Sequence, residues 1–346
     1  MKRKFSVVSI LFLVFLLIST TLAGCGNKTP SSQSKTTTTK VRLNEVTRSV
    51  FYAPFYAAMN QGFFKEEGLE IDLTTGQGAD KTMQEVMSGN ADIGFCGPEQ
   101  TIYINVQKRD DYPILFAQLT QTDGSFLVSR KSETNFSWES LEGKTILGGR
   151  PGGVPEMALE YALKKHGLVN EKNIKIITNV AFAAAPGAFK GGTGDYAALF
   201  EPSGSMLEKD KSGYIVASVG KEVGTMPYTC YFTTKSYLDK HSDVIEKFTR
   251  AIYKGQLWVD SHSDAEVAGQ IKSFFPGTDV DILTNVTKNY RAINAFAHDP
   301  ILKEENLNIL ENLIEGYNKT LIPERPAFSK IVNTSIATKV VNETKK

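Results

Sequence analysis

Cysteine and histidine are scarce in this chain, and their scarcity argues against several kinds of chemistry. Among 346 residues there are three cysteines and four histidines, and the histidines are scattered without the spacing of a metal motif such as HExxH. A G-x-S-x-G nucleophile motif is missing as well. The sequence therefore predicts no catalytic centre, no metal site and no cofactor.

An excess of positive charge is also missing. The chain has 39 basic and 38 acidic residues. Residues 1–24 contain three basic residues and no acidic ones, so the rest of the chain has 36 basic and 38 acidic residues, a net charge of about −2. Proteins that bind nucleic acids usually show a clear basic excess. The composition therefore argues against nucleic acid as a partner.

The N-terminal region has the pattern of an export signal. Basic residues at positions 2–4 precede the apolar run FSVVSILFLVFLLISTTLAG, for which a retained membrane anchor is the alternative. The run leads into LAGC at residues 22–25, which resembles a bacterial lipobox, so we expect cleavage before Cys25 and a lipid on its thiol. Residues 26–40 are polar and rich in Ser and Thr, which predicts a flexible tether at the outer face of a bacterial membrane.

The two remaining cysteines, Cys96 and Cys230, lie far apart in the sequence. In an exported protein such a pair can form a disulfide. The alternative is that both are small buried hydrophobic residues, since each lies in a strand-like segment. The sequence leaves this choice open.

From residue 40 onward, strand-like and helix-like segments alternate. LEIDL at 69–73 alternates apolar and polar residues, and Pro54 and Pro98 stand where helices begin, while AFAAAPGAFKGG at 181–192 predicts a short helix broken near Pro186. This alternation predicts an α/β protein with mostly parallel sheets. Because 346 − 24 = 322 residues are many for one core, we expect two Rossmann-like lobes, residues 41–125 with 231–346 and residues 126–230, joined by hinge strands near 126–130 and 225–230.

The ends of the predicted strands are rich in glycine, proline and hydrogen-bonding side chains. Ligands of α/β sheets bind outside the carboxyl ends of the strands, so these positions are the candidate ligand contacts. They are Phe51, Tyr52, Gln77, Gly97, Gln121, Arg150, Gly152, Gly153, Phe182 and Glu201.

Several of these positions have two interpretations. GGRPGG at 148–153 leads into a helix and carries Arg150. One interpretation is a cradle for an anionic or carbonyl-bearing ligand. The other is a tight turn with Arg150 in solvent. Glu201 ends a strand, where it can accept hydrogen bonds from an amine or an aminopyrimidine, or else cap the next helix. Glu99, in the first turn of a helix, favours a simple interaction with the helix dipole.

The aromatic residues around Pro54 also have two possible roles, packing in the core and contact with a ligand. Phe55 lies on the apolar face of the predicted helix and is expected in the core. Phe51 and Tyr52 follow a strand end, where a flat ring can stack on a planar ligand.

Three segments resemble those of a known family. APFYAAMNQGFFKEEGLEIDL (53–73), GADKTMQEVMSGNADIGFCGP (78–98) and AFAAAPGAFKGGTGDYAALFEP (181–202) are similar, in this order, to motifs of the solute-binding proteins of ABC importers in the nitrate, sulfonate, taurine and thiamine-pyrimidine branch. The resemblance covers roughly residues 41–280. It implies a monomeric protein of type II periplasmic-binding-protein architecture, which closes on a small molecule and delivers it to a membrane permease with its ATPase.

The resemblance also bears on catalysis and on the ligand. A eukaryotic relative in this branch makes a pyrimidine from its own histidine with the help of a cysteine-rich motif, and this chain has no cysteine cluster near its strand ends, so we expect no enzyme. Phe51, Tyr52 and Glu201 favour a flat nitrogen-bearing ligand such as a thiamine-precursor pyrimidine. The glycine turn with Arg150 suits a sulfonate, taurine, nitrate or carboxylate instead.

Overall fold

The computed structural model describes residues 38–344. The predicted signal peptide and lipidation at Cys25 therefore lie outside the described residues, as does most of the predicted tether. The first strand begins at Thr39, so the last two residues of the range predicted for that tether, 39 and 40, belong to this strand instead. Within residues 38–344, every helix is too short or too polar to cross a lipid bilayer.

Strands and helices alternate over residues 39–120. The strands are β1 (Thr39–Glu45), β2 (Leu69–Thr75), β3 (Ile93–Cys96) and β4 (Pro113–Thr120). The helices are α1 (Ala53–Asn60), α2 (Phe63–Glu66), α3 (Ala79–Met87) and α4 (Glu99–Val106), and a 3₁₀ turn at Val50–Tyr52 precedes α1. Pro54 lies in the first turn of α1, where its missing N–H costs no hydrogen bond.

The same alternation continues over residues 125–223. The strands are β5 (Ser125–Ser129), β6 (Thr145–Leu147), β7 (Lys175–Ile177), β8 (Tyr196–Phe200) and β9 (Tyr214–Ser218). The helices are α5 (Val154–Lys165), α6 (Ala185–Lys190), α7 (Ser203–Lys209) and α8 (Val219–Val223), with 3₁₀ turns at Trp138–Leu141 and Phe182–Ala184. The predicted break at Pro186 is wrong, because this proline lies in the first turn of α6, which it starts instead of interrupting.

One more strand and a series of helices follow. The strand is β10 (Thr229–Thr234). The helices are α9 (Lys235–Lys240), α10 (Ser242–Ser261), α11 (Asp264–Ile271), α12 (Val280–Ala292), α13 (Glu304–Asn318), α14 (Phe328–Ile331) and α15 (Ser335–Thr344), with 3₁₀ turns at Lys272–Phe274 and Lys319–Leu321.

The strands form two five-stranded sheets, which confirms the predicted two-lobed α/β architecture. The sheet of the first lobe has the order β2-β1-β3-β10-β4, and that of the second lobe has the order β7-β6-β8-β5-β9. Both sheets are mixed, but four of the five strands in each run in the same direction, in agreement with the predicted mostly parallel sheets. In each sheet the strand that enters from the other lobe, β10 or β5, runs antiparallel to both of its neighbours, because the chain comes from the opposite direction.

Aromatic side chains fill the core of the first lobe. The ring of Phe55 lies 5.5 Å from that of Phe95, which lies 5.0 Å from Tyr231, which in turn lies 5.0 Å from Phe248 on α10. All four side chains are fully buried. Burial of each such ring contributes roughly 1.5–3 kcal/mol, so this chain of contacts holds α1 and α10 on the same packed cluster.

The chain crosses between the lobes twice, and the two crossings are bonded to each other. The segments are residues 121–124 and 224–228. The N–H of Met226 donates to the carbonyl of Gln121 at 3.0 Å, and the N–H of Tyr228 donates to Thr120 at 3.1 Å. The hydroxyl of Thr122 donates to the carbonyl of Gly224 at 2.8 Å. The crossings therefore form a two-stranded ribbon.

The segment 295–300 pairs with the same region. The N–H of Gln121 donates to the carbonyl of Ala295 at 2.9 Å, and the N–H of Ala297 donates to Leu119 at 3.0 Å. The C-terminal part of the chain therefore covers the strand that leads into the first crossing.

Cys96 and Cys230 lie opposite each other on the antiparallel strands β3 and β10. Both are buried, and both are free thiols. Burial raises the pKa of each thiol well above its ordinary value, so neither is a reactive thiolate in the folded protein.

Candidate functional site

Segments that follow the strands of the two sheets contact each other. The Nε atom of Arg150, in the loop after β6, lies 3.6 Å from Oδ1 of Asp80, in the first turn of α3 after β2. The hydroxyl of Tyr103, on α4, donates to the carbonyl of Gly152 at 3.0 Å. The loop that follows β6 in the second lobe therefore faces the helices that follow β2 and β3 in the first lobe.

A buried carboxyl group accepts a hydrogen bond from the backbone of the glycine-rich loop 148–153. Gly152 has a left-handed backbone with φ +72°, and Gly153 is the N-cap of α5. Oε2 of Glu156 accepts the N–H of Gly149 at 2.9 Å, while no residue within 38–344 donates to Oε1. Burial raises the pKa of Glu156 to about 7. The side chain of Arg150 is 46% exposed, so a ligand anion can reach its guanidinium.

Aromatic rings from both lobes meet at their boundary. This aromatic cluster comprises Phe51, Tyr52, Phe182, Phe200, Tyr228 and Tyr290. Phe51 is fully buried, with ring centroids of Tyr290 at 4.9 Å, Tyr228 at 5.6 Å and Phe200 at 5.9 Å. Tyr52 is 4% exposed, whereas Phe182 is 46% exposed and packs on Phe200 at 5.3 Å. Phe182 therefore offers the most accessible ring face of the six.

Glu201 lies between the lobes and is buried. Its carboxylate accepts the N–H of Ser205 at 2.8 Å, the hydroxyl of Ser205 at 2.7 Å and the side-chain amide of Asn289 at 2.9 Å. Its own N–H donates to the hydroxyl of Tyr290 at 3.0 Å, and its carbonyl accepts the hydroxyl of Ser49 at 3.0 Å. Burial raises the pKa of the carboxyl, and these donors act in the opposite direction. Glu201 thus both caps α7 and joins the second lobe to the first.

A surface cavity of about 450 Å³ opens between α7 and α12, beside the Glu201 network. Its lining is mostly polar and consists of Ser205, Glu208, Lys209, Asp279, Asp281, Ile282 and Asn285. Asn285 donates to Ser205 at 3.4 Å, and Lys209 forms an ion pair with Asp279. The cavity is therefore rimmed by charges and adjoins the site from outside.

The three remaining candidates occupy separate places. Gln77 is exposed and has a left-handed backbone with φ +60°. The side-chain amide of Gln121 donates to the carbonyl of Asn294 at 3.3 Å, so it is directed towards the loop that precedes segment 295–300. Gly97 follows β3, and a Cβ at this position would lie 2.0 Å from Oε2 of Glu99. Only glycine leaves room for that carboxylate.

Sequence reasoning missed the buried acids near the strand ends. Glu99, assigned to the helix dipole, is only 2% exposed, and burial raises the pKa of its carboxyl. Asp123, in the first crossing, is fully buried, and burial raises its pKa to about 6. Their positions in the sequence could have identified them, because Glu99 and Asp123 each lie three residues after the end of a strand, β3 and β4 respectively.

Comparisons with known proteins agree with this geometry. The family model described as NMT1/THI5 like matches residues 50–265. YtlA of Bacillus subtilis, named as a candidate binding protein, is 43% identical over 343 residues, which cover 99% of this chain and 98% of YtlA. The 4-amino-5-hydroxymethyl-2-methylpyrimidine phosphate synthase of Aspergillus parasiticus is 22% identical over 220 residues, which cover 60% of this chain and 63% of the synthase. The chain thus spans less than two thirds of that enzyme's length.

A solved structure gives the same fold. The alkanesulfonate-binding protein SsuA from Xanthomonas axonopodis pv. citri, bound to MOPS, superposes with a TM-score of 0.68 at 16% identity, over 85% of this chain and 98% of SsuA. At this identity the likeness shows the fold alone. The family resemblance inferred from the sequence motifs is confirmed: the chain belongs to the NMT1/THI5-like family and has the two-lobed fold of the solute-binding proteins of ABC importers.

Proposed function

We propose that this protein is the solute-binding component of an ABC importer. It closes its two lobes on a small organic molecule and delivers that molecule to a membrane permease with its ATPase. The observation that carries the proposal is the meeting of the Arg150 loop, the aromatic cluster and Glu201 at the boundary between the lobes. The identity to YtlA, a candidate binding protein, supports it.

The ligand that this boundary favours is a flat nitrogen heterocycle, such as a thiamine-precursor pyrimidine. Rings of the aromatic cluster provide stacking faces, and buried carboxyls provide acceptors for amino groups. The name of the Aspergillus relative concerns such a pyrimidine. The second candidate ligand is a sulfonate, taurine or nitrate-type anion, which the partly exposed Arg150 favours and which the name of SsuA matches.

The ribbon formed by residues 121–124 and 224–228 is the proposed hinge between the two lobes. The hinge strands expected near 126–130 and 225–230 fall partly outside this ribbon, on β5 and on the start of β10. Ligand contacts with both lobes would shift the protein from an open to a closed state. The further parts of the proposal are lipidation at Cys25, a tether that ends where β1 begins at Thr39, attachment at the outer face of a bacterial membrane, and a monomeric state.

The test is a binding screen that also reads out chemistry. The purified protein is incubated with pyrimidines, flavins, sulfonates and nitrate; thermal shift and calorimetry report binding, and mass spectrometry reports the state of the compound. The expected result is binding of one class, with the compound recovered unchanged. A turned-over product would instead assign the enzymatic function of the Aspergillus relative, and a failure of every class to bind would contradict solute binding.

A further inference from the structure

Near the end of β3 lies a buried carboxyl oxygen to which no described residue donates. Oε1 of Glu99 accepts the side-chain amide of Gln100 at 3.1 Å, whereas Oε2 has no partner within residues 38–344. The side chain is only 2% exposed, so bulk water does not readily replace the missing donor. Oε2 lies over Gly97, next to the strand end, where ligands of such sheets bind. Native proteins leave few buried acceptors without a partner, so a ligand is a direct explanation.

A second acceptor lies at the first crossing. Oδ1 of Asp123 accepts the N–H of Ser125 at 2.8 Å, while Oδ2 has no donor in hydrogen-bond geometry. The hydroxyl of Tyr228, at the other crossing, lies near this carboxylate but outside hydrogen-bond geometry. Both side chains are at least nine-tenths buried. A small rotation of Tyr228 would pair these two groups, which would still leave Glu99 without a donor.

The charged groups near Glu99 leave its free carboxyl oxygen without a partner. Glu99 is close enough to the phenol of Tyr228 for the two groups to interact electrostatically. The cation that acts on Glu99 is Arg150, whose guanidinium is paired with Asp80 at 3.6 Å. Oε2 of Glu99 therefore remains an acceptor without a donor among the described residues.

Aromatic faces border the same place. Tyr228 belongs to the aromatic cluster, with its ring centroid 6.2 Å from Phe200 and 5.6 Å from Phe51. A ring face attracts a cation, and the attraction increases when water is excluded. Carboxylates next to ring faces therefore match a flat cation and oppose an anion.

We propose that Glu99, together with Asp123 and Tyr228, forms an acceptor subsite for a positively charged, hydrogen-bond-donating group of the ligand, such as the protonated ring of an amino-substituted nitrogen heterocycle. This inference rests on the proposed function and selects between its two ligand classes. Under this proposal, the ion pair of Arg150 with Asp80 serves to hold the two lobes together. A sulfonate or nitrate would then have no favourable position beside Glu99.

Titration calorimetry on the full chain tests the subsite with four probes. These are 4-amino-5-hydroxymethyl-2-methylpyrimidine, its ring-N-methylated cation, benzenesulfonate and nitrate. The wild-type protein should bind the methylated cation at least tenfold more tightly than benzenesulfonate or nitrate. Glu99→Gln should weaken binding of the cation about tenfold to a hundredfold, the effect of losing a hydrogen bond to a charged group.

Glu70→Gln is the matched control, since Glu70 is an exposed glutamate on β2, and it should leave all affinities unchanged. Glu99→Asp keeps the charge and should retain the preference for the cation. Preferred binding of benzenesulfonate or nitrate, or unchanged cation binding by a folded Glu99→Gln protein, would overturn the subsite while solute binding stands. If Glu99→Gln does not fold, the cation-to-anion preference of the wild type decides. A wild type that binds no compound of the broader screen would overturn both the function and the subsite.

Discussion

The carboxyl of Glu156 is buried against the glycine-rich loop, and one of its oxygens has no donor. Burial raises its pKa from the ordinary 4.5 to about 7. The folded protein therefore holds this proton more tightly than the unfolded chain does. Below pH 4.5 this carboxyl is protonated in both the folded and the unfolded state, so it does not lower the free energy of unfolding. As the pH rises from about 4.5 to about 7, the unfolded chain releases the proton first and the free energy of unfolding falls.

The size of this loss follows from the two pKa values. A difference of about 2.5 in pKa corresponds to roughly 3 kcal/mol when the loss is complete. Between pH 5 and pH 8 the free energy of unfolding should fall by about 2 kcal/mol through this group. Glu156→Gln removes the titration, and its carboxamide oxygen can still accept the N–H of Gly149. Between pH 5 and pH 8, the free energy of unfolding should therefore fall by about 2 kcal/mol less in the variant than in the wild type.

Urea unfolding followed by circular dichroism, at pH 5 and pH 8 and constant ionic strength, measures the difference. Other buried acids, such as Asp123, titrate in both proteins and cancel in the comparison. Glu70→Gln, on the exposed edge of β2, should behave as the wild type. Equal losses of stability in the wild type and in Glu156→Gln would refute the reasoning, because they would mean that this carboxyl titrates normally in the folded protein.

Two further predictions concern the boundary between the lobes and the thiols. Glu201→Gln removes the negative charge that an amino group of the ligand would meet at the boundary, so it should weaken ligand binding by about 1.5–3 kcal/mol in calorimetry; unchanged affinity would mean that the carboxylate serves only its internal partners, Ser205 and Asn289. Cys96 and Cys230 should resist alkylation in the native protein and each gain one label in urea without reductant; an unlabelled pair in urea would reveal a disulfide.

The secondary structure was largely predictable because its signals are local. Alternating residues identified β2, and Pro54 and Pro98 marked the beginnings of α1 and α4. The break expected at Pro186 failed because a proline near a helix start and a proline within a helix look alike when the boundary is unknown. The direction of β10 was also not local, since it depends on the chain returning from the other lobe.

The positions of the candidate residues at strand ends were predictable, whereas their hydrogen-bond partners were less so. Arg150 and Glu201 were placed correctly at strand ends, yet Glu201 bonds to Ser49, which is 152 residues away in the sequence. Such pairs depend on how two lobes meet, which no local pattern encodes. Glu99 shows the same limit: its position in a first helical turn suggested an exposed charge, while its burial depends on neighbours from both lobes.

The ribbon between the lobes has a mechanical consequence. Its two segments are joined by the hydrogen bonds of Met226 with Gln121 and of Thr122 with Gly224. Sliding one segment along the other would break these bonds, whereas bending the pair across its length leaves them intact. In the proposed hinge, this ribbon would confine the relative movement of the lobes to nearly one rotational degree of freedom. A substitution in either segment should alter the stiffness of both, so the speed of opening can change without any change in the residues that touch the ligand.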